Sequence, residues 1–507
     1  MAQRHVAIIG AGMGGLAAAI RLAARGERVS VYEAGAGPGG KLNRWQSGGY
    51  TFDTGPSLLT MPWVLRELFA AAGRDMDDAL TLDRVDPICC YHFADGSTLE
   101  VTSDTARMAA NIERLSPPDV PAFFRFLAHT ANLYALAGDP FLRHPMDTSL
   151  FGRGRTEMFR YGFRARDLPK FAAPRTVHQT VASFFRDPRL RMVFDRYATY
   201  NGSSPYHAPA AFCIIPFVEF ATGAWHPRGG MYRIAETLAA LAADLGVALH
   251  HGTPVARITL DRSGTRATGL HLADGEHVAA DAVISNVDVL TTHDRLLDGT
   301  VPGVLERRAA LRRLEPSYSG FVLLLGTRRT YDRLPHHSIY FSADYEREFG
   351  DVVRRRVPPA DPTIYVCRTT ATDPAAAPPG GDNLFVMVNV PYLDGRTDWD
   401  ALAPRYRDKV LAALAARGLE VRDADIAVED RWTPERFRAA YGAQAGALYG
   451  FASNTRRAAF LRPPNRSPDF AGLYFAGGST HPGGGVPLAL LSGGIVAEMI
   501  AGGDSAV

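Results

Sequence analysis

Two glycine-rich stretches hold the residues best suited to chemistry. The first places Gly10, Gly12 and Gly15 in the order G-x-G-x-x-G, and Glu33 follows 18 residues after Gly15. At this spacing Gly10 permits a tight turn, Gly12 lets a pyrophosphate approach the backbone, and Gly15 lets a helix pack on a strand. An acid at the distance of Glu33 can accept hydrogen bonds from ribose hydroxyls. It would repel a 2′-phosphate, which argues against NADP. The second stretch, G-G-S-T-H-P-G-G-G at 477–485, contains one titratable side chain, His481. Its imidazole could take or pass a proton, or it could serve to order the loop.

Both stretches require particular elements around them. The β-branched run at 6–9 predicts a buried strand, the alanine-rich run after Gly12 a helix ending near Gly26, and RVSVYE at 28–33 a second strand. At the other end LYFA (473–476) predicts a strand. A helix is expected from Val486, with Pro487 in its first turn and Gly502-Gly503 beyond its end. That helix is apolar almost all round and is expected to be buried. Its N-terminus favours a developing negative charge. Reduced flavin carries such a charge at its pyrimidine end. The two chain ends are therefore expected to converge on one FAD, with the AMP half at the first and the isoalloxazine at the second, beside Gly477, Gly478, Val486 and Pro487. NAD would have no use for the second site.

Directly after Glu33 comes GAGPGGKLNRW, with Gly39, Gly40 and Lys41, and then GYTFDTGPSLL, with Asp53, Pro56 and Ser57. Lysine is rare here, only Lys41, Lys170 and Lys409. The order of fingerprint, acid, Gly-Gly-basic and D-x-G-P resembles the FAD-binding start of the amine oxidase and phytoene desaturase superfamily. The resemblance implies that Lys41 and the backbone at Gly40 contact FAD, that Pro56 and Ser57 come near the flavin, and that the backbone of Val255 meets the adenine side. Asp53 fits that pattern or, equally, a side-chain-to-backbone bond in a turn. YATYNGSSPYHAPA, PHHSIYFSADYEREF, GALYGFASNTRRAAFLRPPNRS and GGSTHPGGGVPLALLSG together resemble the carotenoid desaturases, and the last two look closest to 1-hydroxycarotenoid 3,4-desaturases. Gly478 stands where the amine oxidase tail carries an acid.

The fold implied is α/β, a Rossmann-like FAD-binding domain (1–75, 225–292 and 465–507) with a discontinuous α+β substrate domain (76–224 and 293–464). The function implied is desaturation of an acyclic carotenoid by hydride transfer to flavin. Phytoene desaturation, isomerisation and ketolation are the alternatives. The protein's expected tasks are alignment, water exclusion and stabilisation of the reduced cofactor. A quinone or oxygen would reoxidise it. The apolar runs FVLLLG (321–326), TIYVC (363–367) and LFVMVNV (384–390) predict strands buried on both faces. The adjacent pair His336-His337 shows no third ligand at metal-site spacing, so a satisfied structural pair and no metal are expected.

The composition excludes other classes. A net charge of +2 over 507 residues gives no attraction to nucleic acid. Four cysteines without C-x-x-C spacing suit a reducing compartment. No secretory leader and no membrane-spanning helix are expected, which places the chain in the cytoplasm. Residues 151–175 hold seven basic, two acidic and five aromatic residues and suggest peripheral contact with an anionic membrane surface.

Overall fold

β-Branched residues cluster in the short runs that pair into a five-stranded parallel sheet. The computed structural model describes residues 3–145, 174–455, 458 and 462–502. His5–Ile9 lies at the sheet's centre between Arg28–Tyr32 and Ala282–Ser285, with Ala248–His250 and Leu473–Phe475 at the edges. Alternate residues face opposite ways. Val6 and Ile8 join a core formed with the helices Met13–Ala23, Tyr232–Asp244 and Val486–Ala501. Ala7 and Ile9 join another with the antiparallel strands Val255–Leu260, Ala267–Leu272 and His277–Ala279.

The helices Met13–Ala23 and Val486–Ala501 touch through glycine. A Cβ on Gly493 would lie 2.3 Å from the Gly14 carbonyl oxygen and 2.8 Å from the Ala18 nitrogen. Only two bare backbones can approach so closely, and this contact draws the two ends of the chain together.

A second, seven-stranded sheet has Ser319–Thr327 and Asp382–Val390 paired near one end. Ile364–Arg368, His337–Tyr340, Cys89–His92 and Thr98–Val101 continue it, and Ile426–Trp432 closes the other edge. Its strands cover two faces, as their apolar runs lead one to expect. Phe321, Leu323, Ile364, Val366, Val386 and Val388 pack against the helix Trp399–Ala416. On the inner face Val322, Leu324 and Phe385 pack with Phe52 and Trp432, while Tyr365 and Met387 keep some accessible surface. No helix among the described residues is long and apolar enough to cross a membrane. Of the basic, aromatic segment 151–175, residues 151–173 lie outside the described residues.

Candidate functional site

The strand His5–Ile9 ends in a turn in which Gly10 has φ +94°, a left-handed conformation suited to glycine. Gly12 is the N-cap of Met13–Ala23, and a Cβ on Gly15 would lie 2.2 Å from the Gly10 carbonyl oxygen. Gly39 donates its amide to the Ala11 carbonyl at 2.8 Å and bridges to Gly12, so the second glycine turn walls the first. The strand expected to reach Glu33 stops at Tyr32. Glu33 turns back, and its carboxylate accepts from Ala11 N at 2.8 Å and from Gly35 N at 2.7 Å. Val255 opens its strand and packs on the cluster containing Ile9 and Tyr32, on the same side of the sheet.

Asn286 holds this turn to the C-terminal loop. Its Nδ2 donates to the Ala476 carbonyl at 2.8 Å, and its side chain would meet a Cβ on Gly12, Gly14 or Gly477 at 2.5–2.8 Å. Gly477 in turn donates its amide to Ser492 Oγ at 3.0 Å. Asn465 Nδ2 reaches Phe475 O, His481 O and Ser492 Oγ from behind. Neither Asn286 nor Asn465 stands out in the sequence. The only signal is the position of Asn286 just after an apolar strand that returns to the sheet.

The helices at the two glycine stretches share a further property. Met13–Ala23 and Val486–Ala501 have glycine N-caps, no side-chain cap and no acid in the first turn. By contrast, Asp104, Thr176, Asp187, Asp398 and Thr433 cap their own helices with side-chain oxygens. Free first-turn amides bind anions. The N-cap Gly485 is exposed and has nothing within 4 Å of its Cβ position. Val486 and Pro487 are buried in the first turn behind it, and Gly478 is half-buried. A pyrophosphate at the first helix and an electron-rich ring system at the second fit these surfaces, so the residues present suit FAD.

Arg462 adds a fixed positive charge there. It is 4% exposed and, among the described residues, donates to neutral oxygens, Gly478 O at 3.4 Å, Phe451 O at 3.3 Å and Ser453 Oγ at 3.1 Å. Burial alone pulls its pKa down to about 10.

Lys41 donates through Nζ to Leu448 O at 2.9 Å and Ala447 O at 3.2 Å. Lys41 stays exposed while Tyr365 and Tyr449 are half-buried, and burial lowers the pKa of Lys41 and raises those of the two tyrosines. Ser57 Oγ sits 2.5 Å from Tyr365 Oη, and Pro56 precedes it in the same half-buried turn. Asp53 is buried and accepts from Met231 N at 2.8 Å and Tyr232 N at 3.0 Å, anchoring the start of Tyr232–Asp244. Of the two readings of Asp53, the side-chain-to-backbone bond is the one formed, although to a distant segment. Burial raises its pKa to about 6.

His481 is 1% exposed, and burial lowers its pKa to about 4. Its Nε2 lies 3.0 Å from the His144 carbonyl at the end of Val120–Arg143, and its ring packs edge-on against Phe141. The imidazole thus meets backbone carbonyls at a helix C-terminus. A polar group unforeseen in the sequence lies among the aromatics. Glu219 accepts from Tyr197 Oη at 2.5 Å and Tyr200 Oη at 2.6 Å, and Arg196 lies over the rings of Tyr91, Tyr197 and Tyr200. The His336-His337 pair is satisfied at one nitrogen of each ring. Each bonds through Nδ1, while among the described residues neither buried Nε2 has a hydrogen-bond partner of good geometry.

The model of a family described as flavin containing amine oxidoreductase matches residues 13–501. The chain is 38% identical over 501 residues to a zeta-carotene-forming phytoene desaturase of Myxococcus xanthus, covering 98% of this chain and 94% of that protein. It is 34% identical over 503 residues to a 4,4'-diapolycopene oxygenase of a Methylomonas species, covering 98% of each. Among solved structures, an oxidoreductase of Methanosarcina mazei superposes with a TM-score of 0.66 at 18% identity, covering 97% of this chain and all (100%) of that one. That likeness extends to the fold.

Proposed function

We propose, from the premise that this chain belongs to the flavin-containing amine oxidoreductase family, that it introduces C=C bonds into an acyclic carotenoid. It is an FAD-dependent oxidoreductase, and its relatives are carotenoid desaturases and oxygenases. The finer reading is 3,4-desaturation of a 1-hydroxy carotenoid, supported by the ASNTRRAAFLRPPN and GGSTHPGGGVPLALLSG segments. One observation carries the proposal. Two uncapped helix N-termini, each behind a glycine turn, belong to helices that pack on one another where Gly493 meets Gly14.

FAD, when bound, supplies the hydride acceptor for a substrate that offers no group to activate. The free amides of Met13–Ala23 would hold its pyrophosphate and Glu33 its ribose, with Gly12, Gly15, Gly40 and Lys41 around them and Val255 toward the adenine. Arg462 and the N-terminus of Val486–Ala501 would stabilise negative charge beside Gly477 and Gly478. Tyr365, Met387 and Leu448 would align the polyene and exclude water. The contact between His481 Nε2 and the His144 carbonyl supports loop ordering over proton transfer. Reoxidation by a quinone or oxygen, and substrate entry from a membrane surface through 151–175, complete the proposal. So does the division into a cofactor-binding part (1–75, 225–292, 465–507) and a substrate part (76–224, 293–464).

The names of the relatives favour a specific second reading, insertion of oxygen. The test incubates FAD-loaded protein in liposomes with a quinone and, separately, phytoene, an acyclic polyene and a 1-hydroxy carotenoid. Loss of two hydrogens with a red shift in absorption is expected, strongest for the 1-hydroxy compound. Loss of hydrogen from phytoene alone would make the chain a phytoene desaturase. Gain of oxygen mass would establish the oxygenase reading, and a spectral shift at constant mass an isomerase.

A further inference from the structure

We propose that His336, His337 and Cys367, completed by His226, bind a divalent zinc-class metal ion at the seam between the seven-stranded sheet and the segment leading into Tyr232–Asp244. One ligand atom from each of His336, His337 and Cys367 lies within 4.8 Å of the others, and all three residues are buried. The register explains the meeting. His337 and Cys367 face each other across antiparallel strands, and His336 directly precedes His337. His226, in the strand Trp225–Pro227, is 1% exposed and packs its ring 4.8 Å from that of His336.

The hydrogen bonding has the form of a ligand set. His336 Nδ1 pairs with Thr372 Oγ1 at 2.6 Å, and His337 Nδ1 donates to the Ile88 carbonyl at 2.9 Å, which leaves the lone pair of His337 on Nε2. Among the described residues the Nε2 atoms of His336 and His337, and both ring nitrogens of His226, are buried without a hydrogen-bond partner of good geometry, while the Ser57 backbone approaches His226 and His337. Buried polar atoms are as a rule paired; other buried atoms here also lack partners, but four on three adjoining imidazoles suit an occupant that accepts lone pairs.

The donor chemistry selects the metal class. Three imidazoles and one thiolate suit a borderline ion in tetrahedral geometry. Bonds of about 2.1 Å to nitrogen and about 2.3 Å to sulfur put ligand atoms about 3.6 Å apart, so the donors need to close by about 1 Å. The nearby charges suit a cation bound to one thiolate. Asp53 acts on Cys367 and Asp373 on His226, while Arg368, which faces His336, is paired with Asp382. Bound there, the ion would fasten the turn at Ser57 and the strand Trp225–Pro227 to the substrate-facing sheet.

The test uses full-length, tag-free, FAD-loaded protein, freed of metal by dialysis against a chelator and titrated with Co2+ alone. One equivalent is expected to bind, with strong visible d–d bands of tetrahedral cobalt and a near-ultraviolet thiolate charge-transfer band. Zn2+ should bleach both. Cys367→Ser should abolish the charge-transfer band, whereas Cys213→Ser should leave it unchanged. Thr372→Val, which removes only the orienting bond to His336, should weaken binding about tenfold. This variant serves as the test if Cys367→Ser does not fold. Absence of a cobalt spectrum in the folded wild type, or a spectrum indifferent to both Cys367→Ser and Thr372→Val, overturns the proposal.

Discussion

Gly493 and Gly494 are neighbours in one helix, yet alanine should have opposite effects at the two positions. In a helix interior, Gly→Ala normally stabilises by about 1 kcal/mol. At Gly494 the new methyl would meet Arg21 Nε at 3.2 Å, part of a flexible side chain that can yield. Gly494→Ala should therefore raise stability by up to about 1 kcal/mol. At Gly493 the methyl would meet Gly14 O at 2.3 Å, Ala18 N at 2.8 Å and Ala17 Cβ at 2.9 Å. Two of these are backbone atoms of Met13–Ala23, and a carbon–oxygen contact needs about 3.3 Å, so the helices must part by about 1 Å. Overpacking of this kind costs about 3 kcal/mol at the upper end of its usual range, which the propensity gain offsets only in part. The net expectation is a loss of about 2 kcal/mol at Gly493, against a gain at Gly494. Parting the helices also separates the two surfaces that suit FAD, so Gly493→Ala should release flavin at lower denaturant. Urea unfolding followed by far-ultraviolet circular dichroism, with FAD fluorescence read in parallel, measures both quantities. A Gly493→Ala protein as stable as wild type and fully flavinated would refute the reasoning.

Four further outcomes are expected. Asn286→Ala leaves the Ala476 carbonyl without its partner and should cost about 1–3 kcal/mol, with weaker FAD retention in equilibrium dialysis. Arg462→Met removes a buried charge beside Gly478. It should lower the flavin reduction potential by on the order of 30 mV, the two-electron equivalent of about 1.4 kcal/mol, and an unchanged potential would remove Arg462 from the electrostatic account. Glu219→Ala strips the acceptor from Tyr197 and Tyr200 and leaves Arg196 without a buried counter-charge, so thermal unfolding should show a loss of about 3–5 kcal/mol. The folded pKa of His481, about 4, lies below the ordinary 6.5, so folding favours the neutral ring. Its contribution is full above pH 6.5 and lost as pH falls toward 4, whereas Glu348, raised to about 7 by burial, contributes below pH 4.5 and loses that contribution as pH rises through 7. Urea midpoints of wild type and His481→Asn between pH 4 and 7 should converge as pH falls, and His481→Asn should retain turnover if the ring only orders its loop.

The sequence is legible where chemistry and spacing lie within one element. The first strand, turn and helix could be read from β-branched residues, three glycines and an alanine run, because each of those constraints is local. The terminal helix could be read for the same reason, from Pro487 at its start and an apolar circumference. Illegible were the coincidences between elements far apart in sequence. Nothing in a row of letters distinguishes Gly493 from Gly494. Only the approach of Gly14, far away at the other end of the chain, does so. Nothing marks Asn286 as the fastener of two glycine stretches, or Asp53 as the anchor of a helix that begins at Tyr232. The histidine pair shows the limit most sharply. Ligand spacing along the chain is a reliable guide when a metal site sits on one hairpin or helix, and by that measure His336 and His337 have no third partner. Strand register brings Cys367 opposite His337, and a separate short strand brings His226 against His336. A register is fixed by the whole hydrophobic pattern of both strands rather than by the two residues that meet. Sites assembled across a sheet therefore stay hidden in sequence even when every ligand is in plain view, and unpaired buried nitrogens are the physical trace by which they are found.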